Sequence, residues 1–197
     1  MTYDIVDRIV GVTPELDALR RRRPVTRDQL QASFDALFQP VSVEHVSQAE
    51  RELVAAFATR LAGDTDPVGT FYADRALAID PRRAGAVLAE AARSEAAGPF
   101  GAYTEAGLRA ESTDGERYTP SAAVVAELGD RLAAALAHTH LLVLRPREAS
   151  GADIQRLLDA GWSADGIVTL SQLVSFLAFQ QRVITGLRAL SRAGVAA

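Results

Sequence analysis

Apolar positions recur at intervals of three and four along most of this chain, and nowhere do they alternate long enough to predict a strand. Leu53, Val54, Phe57 and Leu61 follow Ser47-Gln48-Ala49-Glu50. In such a box the serine oxygen meets the N3 amide while the N3 carboxylate reaches back, so a helix over about 48–62 is predicted. Asp66-Pro67, Asp80-Pro81 and Thr119-Pro120 each set a capping residue before a proline at the first helical position, marking three more helix starts. Ser150 with Asp153 opens a segment carrying Ile154, Leu157 and Leu158 that ends at Gly161. Ser163 starts the longest run, Ile167 to Leu190. Its polar face is thin near Leu173 to Phe179, so it is expected to be the most buried helix. Residues 4–10 and 14–22 read as short helices, and Thr26 caps another that carries Leu30, Phe34, Leu37 and Phe38 up to Pro40. Pro120 to Leu144 reads as one helix. The fold class predicted is all-α.

Between Gly98 and Thr119 the pattern lapses into glycine and polar residues, over a length unusual for a plain connection. This segment is expected to act as a lid, arm or interface strip. It divides one domain into helical halves, about 1–97 and 120–197.

Composition narrows the chemistry. The 197 residues contain no cysteine, which excludes disulfides, thiolate metal sites and cysteine redox cycles carried within this chain. A net charge of -4 gives no basic field for phosphates, so nucleic acid is not an expected partner. The basic residues are all arginine, as in GC-rich bacterial genomes, and Arg20 to Arg23 reads as a solvated last helical turn. With no basic leader and no window of about eighteen uninterrupted apolar residues, a soluble cytoplasmic protein without a membrane partner is expected. No dinucleotide fingerprint, P-loop or nucleophile elbow occurs, and no cofactor is expected.

One spacing stands out: Glu52, eleven residues, Asp64, two residues, Pro67, three residues, Phe71. It lies in residues 49–77, AERELVAAFATRLAGDTDPVGTFYADRAL, and a second stretch, residues 131–190, carries D-I-x-x-L, A-G-W-S, I-V-T-L and F-x-x-R-V-I-x-G-L without gaps. Together these resemble the alkylhydroperoxidase D-like (carboxymuconolactone decarboxylase-like, peroxidase-related) family over a little under half the chain. The resemblance implies a helical bundle of two related halves that assembles as a homo-oligomer. It also implies an active-site frame in which a glutamate and a histidine relay protons to the second of two cysteines. Here the cysteine positions hold Asp64 and Pro67 and the histidine position holds Phe71; the glutamate, Glu52, alone remains. Thiol peroxidase activity is therefore not expected. Gly63 to Pro67 instead reads as a helix cap.

The remaining candidates follow from chemistry. Glu52 on an apolar helix is either a carboxylate poised as a general base or the partner of an arginine, Arg75 or Arg182. Arg182, with Gln180 and Gln181, interrupts the most apolar helix, and a pair between Arg182 and Glu52 is expected. His138 and His140, at i and i+2 on a helix, point roughly 200° apart and cannot chelate one metal ion. One ring is expected to face the core and the other solvent. Tyr72, Phe71 and Trp162 read as core or interface aromatics, with Tyr72 a candidate ligand contact. The leading functional expectation is a binding or accessory role toward a small molecule. The alternative is a cofactor-independent acid/base enzyme using Glu52 with His138 or His140 on a small carboxylated or lactone substrate. A third is an interaction module that partners a cysteine-bearing relative.

Overall fold

The structure, a computed structural model, describes residues 4–61 and 67–193. Among them the chain forms α1 (Ile5–Val10), α2 (Pro14–Arg21), α3 (Pro24–Phe38), α4 (Gln48–Arg60), α5 (Pro67–Ile79), α6 (Pro81–Arg93), α7 (Ala122–Leu128), α8 (Asp130–Leu144), α9 (Gly151–Asp159) and α10 (Ala164–Arg192). No strand occurs among the described residues, only an isolated backbone bridge between Gly101 and Thr113. The all-α expectation holds.

The caps explain where these helices begin. At α4 the Ser47 hydroxyl accepts from the Glu50 amide at 3.2 Å, and the Glu50 carboxylate takes the Ser47 amide at 2.8 Å. Asp80 accepts from the Arg83 amide (3.0 Å) at α6, and Ser163 from the Gly166 amide (3.1 Å) at α10. Two starts differ from expectation. α3 opens at Pro24, whose fixed φ suits the first helical position, with no cap from Thr26. Thr119-Pro120 starts nothing; Ser121 caps α7 instead, and the expected single helix breaks at Gly129, whose φ of 82° no ordinary residue adopts readily. α5 does begin at Pro67, but Asp64 and Asp66 lie outside the described residues, as does the capping role expected of them.

The centre of the molecule is α4, whose residues Arg51 to Thr59 are all buried and which packs on α3, α5, α6, α8 and α10. The prominence expected for α10 is thus corrected. That helix buries one stripe, including Leu170, Leu173, Leu177 and Ile184, and leaves Val168 and Phe179 exposed. α4 can be enclosed on every side because Ala55, Ala56 and Ala58 let neighbours approach closely. By length and composition α10 could cross a membrane, yet 44% of its apolar window is buried against the other helices.

The solvated turn expected at Arg20 is also corrected. Its guanidinium is buried, bonded to Asp4 (2.7 Å) and Asp7, while Arg27 reaches Asp7 (2.7 Å) and Asp17 (3.0 Å). Three short segments too small for a core of their own are tied together by charge. The 98–119 segment lies against the end of α8. The Phe100 amide donates to the Leu144 carbonyl at 2.6 Å, and Arg147 donates to the Gly101 carbonyl (3.0 Å) while its guanidinium lies 4.0 Å from the Tyr103 ring centre. Gly115 lies so close to the Phe100 ring that a Cβ would fall 2.5 Å from it.

Candidate functional sites

Gln48 and Glu52 share one face of α4, and Arg75 faces them from α5. The Arg75 Nε and Nη2 donate to the two Glu52 oxygens at 2.9 and 2.5 Å, and Gln48 Nε2 adds a third bond at 2.8 Å. Glu52 is 3% exposed, so this fork is what allows a carboxylate to remain there. The rings of Phe34, Phe38 and Phe71 surround the guanidinium carbon at 5.5, 5.2 and 5.6 Å from their centres. Phe71 is therefore one wall of an aromatic cage around an arginine. Beside it Tyr72 is fully buried, and its hydroxyl donates to Gln180 Oε1 at 2.7 Å, tying α5 to α10. Burial pushes the Tyr72 phenol far above its usual range, so it stays a neutral donor.

The pair expected between Glu52 and Arg182 does not form. Arg182 is on the exposed face of α10 and donates to the Ala178 carbonyl of its own helix at 3.0 Å. Glu52 lines none of three clefts among the described residues.

One of them, of about 760 Å³, opens between α8 and α9 beside residues 117–120, which lead into α7. Its floor is apolar: Ala133, Ala134, Ala137 and Leu141 on α8, Val125 on α7 and Ala160 beyond α9. His138 and Tyr118 enter from opposite elements. The expectation of one inward and one outward histidine is corrected, since His138 and His140 are 5% and 4% exposed. They point apart as helical geometry requires, but both sides of α8 are covered. His140 stacks on Tyr118 with ring centres 5.3 Å apart, and burial followed by the Arg145 charge lowers its pKa to about 4. His138 sets Nε2 at 3.3 Å from Ser171 Oγ, and burial lowers its pKa too, against the opposing pull of Asp153. At neutral pH both rings are uncharged.

Two residues that line this cleft each carry a buried polar atom with no hydrogen-bond partner, His138 Nδ1 and Tyr118 Oη. Such orphans are rare in folded proteins and call for an explanation. The cleft arginines, by contrast, are engaged. Arg145 donates to both oxygens of Glu148 at 2.7 and 2.9 Å, Arg117 pairs with Glu148 at 2.6 Å, and Arg156 pairs with Asp153. The Arg145 bonds, and then the charges of Arg145 and Arg117, hold the Glu148 carboxyl down at about 2.

Of the residues singled out in the sequence, Glu52, Phe71 and Tyr72 come together, whereas His138 and His140 belong to a different part of the molecule. Tyr118 was not anticipated. Its only signal is an aromatic residue standing alone in a polar stretch, just before a helix. Among the described residues, no three of His, Cys, Asp and Glu gather as a metal site would require. Comparison of the chain with models of known families, with characterised proteins and with solved structures returns no match.

Proposed function

We propose that this chain is a thiol-free member of the alkylhydroperoxidase-like group, an α-helical bundle of two related halves, that binds a small molecule instead of reducing peroxides. The observation carrying the reading is a division of labour. Glu52, at the position matching the family's glutamate, is closed off by the Arg75 fork and the Phe71 wall, while an open, largely apolar cleft lies elsewhere, lined by His138 and Tyr118. With no thiol in the chain, Glu52 has no sulfur to serve, and it holds two helices together. Under the same reading the chain assembles with copies of itself in the cytoplasm. Sedimentation equilibrium would return a mass well above 21.0 kDa for such an assembly.

Two measurements test this reading together. With tert-butyl hydroperoxide and a dithiol reductant, the full chain is expected to give no rate above the protein-free control. In amide-correlation spectra, a panel of small ring compounds is expected to shift residues 117–120, 133–141 and 153–160. Shifts centred on Gln48, Glu52 and Arg75, or a clear peroxidase rate in chelator-treated protein, would refute it.

The acid/base alternative keeps one point of support, the neutral ring of His138 among the residues that line the cleft. Neither Glu52 nor His140 lines that cleft, so the enzyme reading retains a single base without its acid.

A further inference from the structure

Beyond that reading, and independent of it, we infer that the groove where α2 and α3 meet the second half of α10 binds a single-chain aliphatic carboxylate of fatty-acid type. The groove has a volume of about 650 Å³, within the range of small-molecule sites. Its apolar lining is wholly aliphatic: Leu19 of α2, Leu30 of α3, and Val183 with Leu187 one turn apart on α10. No aromatic side chain lines it, so a ring compound would find nothing to stack on, whereas an alkyl chain gains dispersion contacts from all four side chains. Leu30 is buried and the other three are half-buried, which leaves the floor anchored in the fold yet open to a ligand.

The polar lining carries one sign of charge. Arg20, Arg22, Arg23 and Arg27 line the groove and no acidic residue does. Arg20 and Arg27 are committed to Asp4, Asp7 and Asp17, none of which lines the groove. Arg22 and Arg23 differ: both are exposed and, among the described residues, neither has a carboxylate partner. Two uncommitted guanidinium forks at the edge of an aliphatic groove match a molecule with a carboxylate head and an alkyl tail, the forks donating charge-assisted hydrogen bonds to the head. Arginine stays charged at every working pH, so the match does not depend on a titration.

The cleft between α8 and α9 competes poorly for such an anion. There Arg145 and Arg117 serve Glu148, Arg156 serves Asp153, and Asp130 and Asp159 add exposed carboxylates. An anion entering it would have to displace one of those pairs. At the groove beside α10 no pair has to open, because Arg22 and Arg23 hold none.

Four probes titrated into the full chain at neutral pH separate head from tail: octanoate, octanol, octylammonium and acetate, below micelle-forming concentrations, with amide spectra and calorimetry as readouts. Octanoate is expected to shift residues 19–30 and 183–187, and to bind roughly 5-fold tighter than octanol and at least 10-fold tighter than octylammonium. Acetate should bind at least 10-fold more weakly than octanoate, since each buried methylene adds up to about 4-fold. The double variant Arg22→Gln with Arg23→Gln changes two exposed side chains that hold no partner, so it is expected to fold. It should bring octanoate affinity down to that of octanol and leave octanol unchanged, a pattern that general loosening of the fold would not produce. Leu187→Ser should weaken both alike, by about 3-fold. Octanoate binding no tighter than octanol or acetate, or a double variant with octanoate affinity intact, would overturn the inference. Shifts confined to residues 117–120, 133–141 and 153–160 would also overturn it and leave the reading of the α8–α9 cleft standing. Co-sedimentation with phosphatidylglycerol vesicles, without any shift from octanoate, would assign these arginines to an anionic membrane surface and equally refute the groove as a fatty-acid site.

Discussion

Glu52 shows how one side chain decides what a site can do. A carboxylate with Gln48 below it and two guanidinium nitrogens of Arg75 across it has both oxygens engaged, and a base so engaged is not available to a substrate. Removing the arginine tests this directly. Arg75→Met is expected to destabilise the protein by about 3 kcal/mol in urea unfolding, because a buried carboxylate loses its counter-charge. The double variant Arg75→Met with Glu52→Gln should recover more than half of that loss, whereas equal costs for single and double variants would show that the pair contributes little. Tyr72→Phe probes the neighbouring bond. It leaves Gln180, whose Nε2 already lacks a partner, with an unmet Oε1 as well, at a cost of about 1–2 kcal/mol. At this scale the sequence is informative about type and silent about partner. That an acid on an apolar helix must find an arginine follows from desolvation alone. Which arginine it finds depends on which face of α10 turns outward, and the polar interruption at 180–182 divides between faces: Gln180 points in and Arg182 out. Adjacent residues on a helix diverge by about 100°, so composition near a position cannot assign its direction.

At the scale of elements, local chemistry explains most starts and fewer breaks. Capping boxes at Ser47 and Ser150 and the proline starts at 67 and 81 are readable because each uses the side chain at the boundary itself. The break between α7 and α8 is not, because a glycine inside an apolar-periodic run is equally compatible with a continuous helix. The turn matters to the cleft, since it redirects the chain so that α7 and α8 present Val125 and Ala133 to the same space. Gly129 has open room around it, so a methyl group there would meet no atom within 4 Å. Gly129→Ala should therefore cost only the backbone penalty of its φ of 82°, about 1–2 kcal/mol in thermal or urea unfolding, with the amide spectrum otherwise retained. Gly129→Asn should cost about as much, because φ 82° with ψ 157° lies outside the left-handed helical region that asparagine tolerates. A neutral or stabilising alanine would mean that 120–144 prefers the straight helix its pattern predicts.

For the molecule as a whole, the charge tie at the N-terminal end and the two buried imidazoles make acid the condition that separates the folded from the unfolded chain. The sign is the same for both, at different pH. His140, near 6.5 when unfolded and about 4 when folded, contributes stability that is complete above about 6.5 and is lost as pH falls toward 4, since the unfolded chain binds the proton more readily. His138 is shifted in the same direction. Below that range the carboxylates follow. The Arg20 hydrogen bond, the Asp7 amide and the charges of Arg20 and Arg27 together outweigh burial and hold the Asp4 pKa below 3.8; its stabilising effect is lost as pH falls below that value. Stability measured by urea unfolding should therefore be flat from about pH 7 upward through the weakly basic range and decline in two stages on acidification. The upper stage, between about 6.5 and 4, should be worth about 1–3 kcal/mol. His140→Phe preserves a ring against Tyr118 and removes one titrating group, so it should shrink the upper stage and leave the lower one intact. Asp4→Asn should do the reverse, at the price of a lower plateau, because α1, α2 and α3 lose the carboxylate that holds Arg20. A single transition unchanged by either variant would place the acid sensitivity elsewhere in the fold.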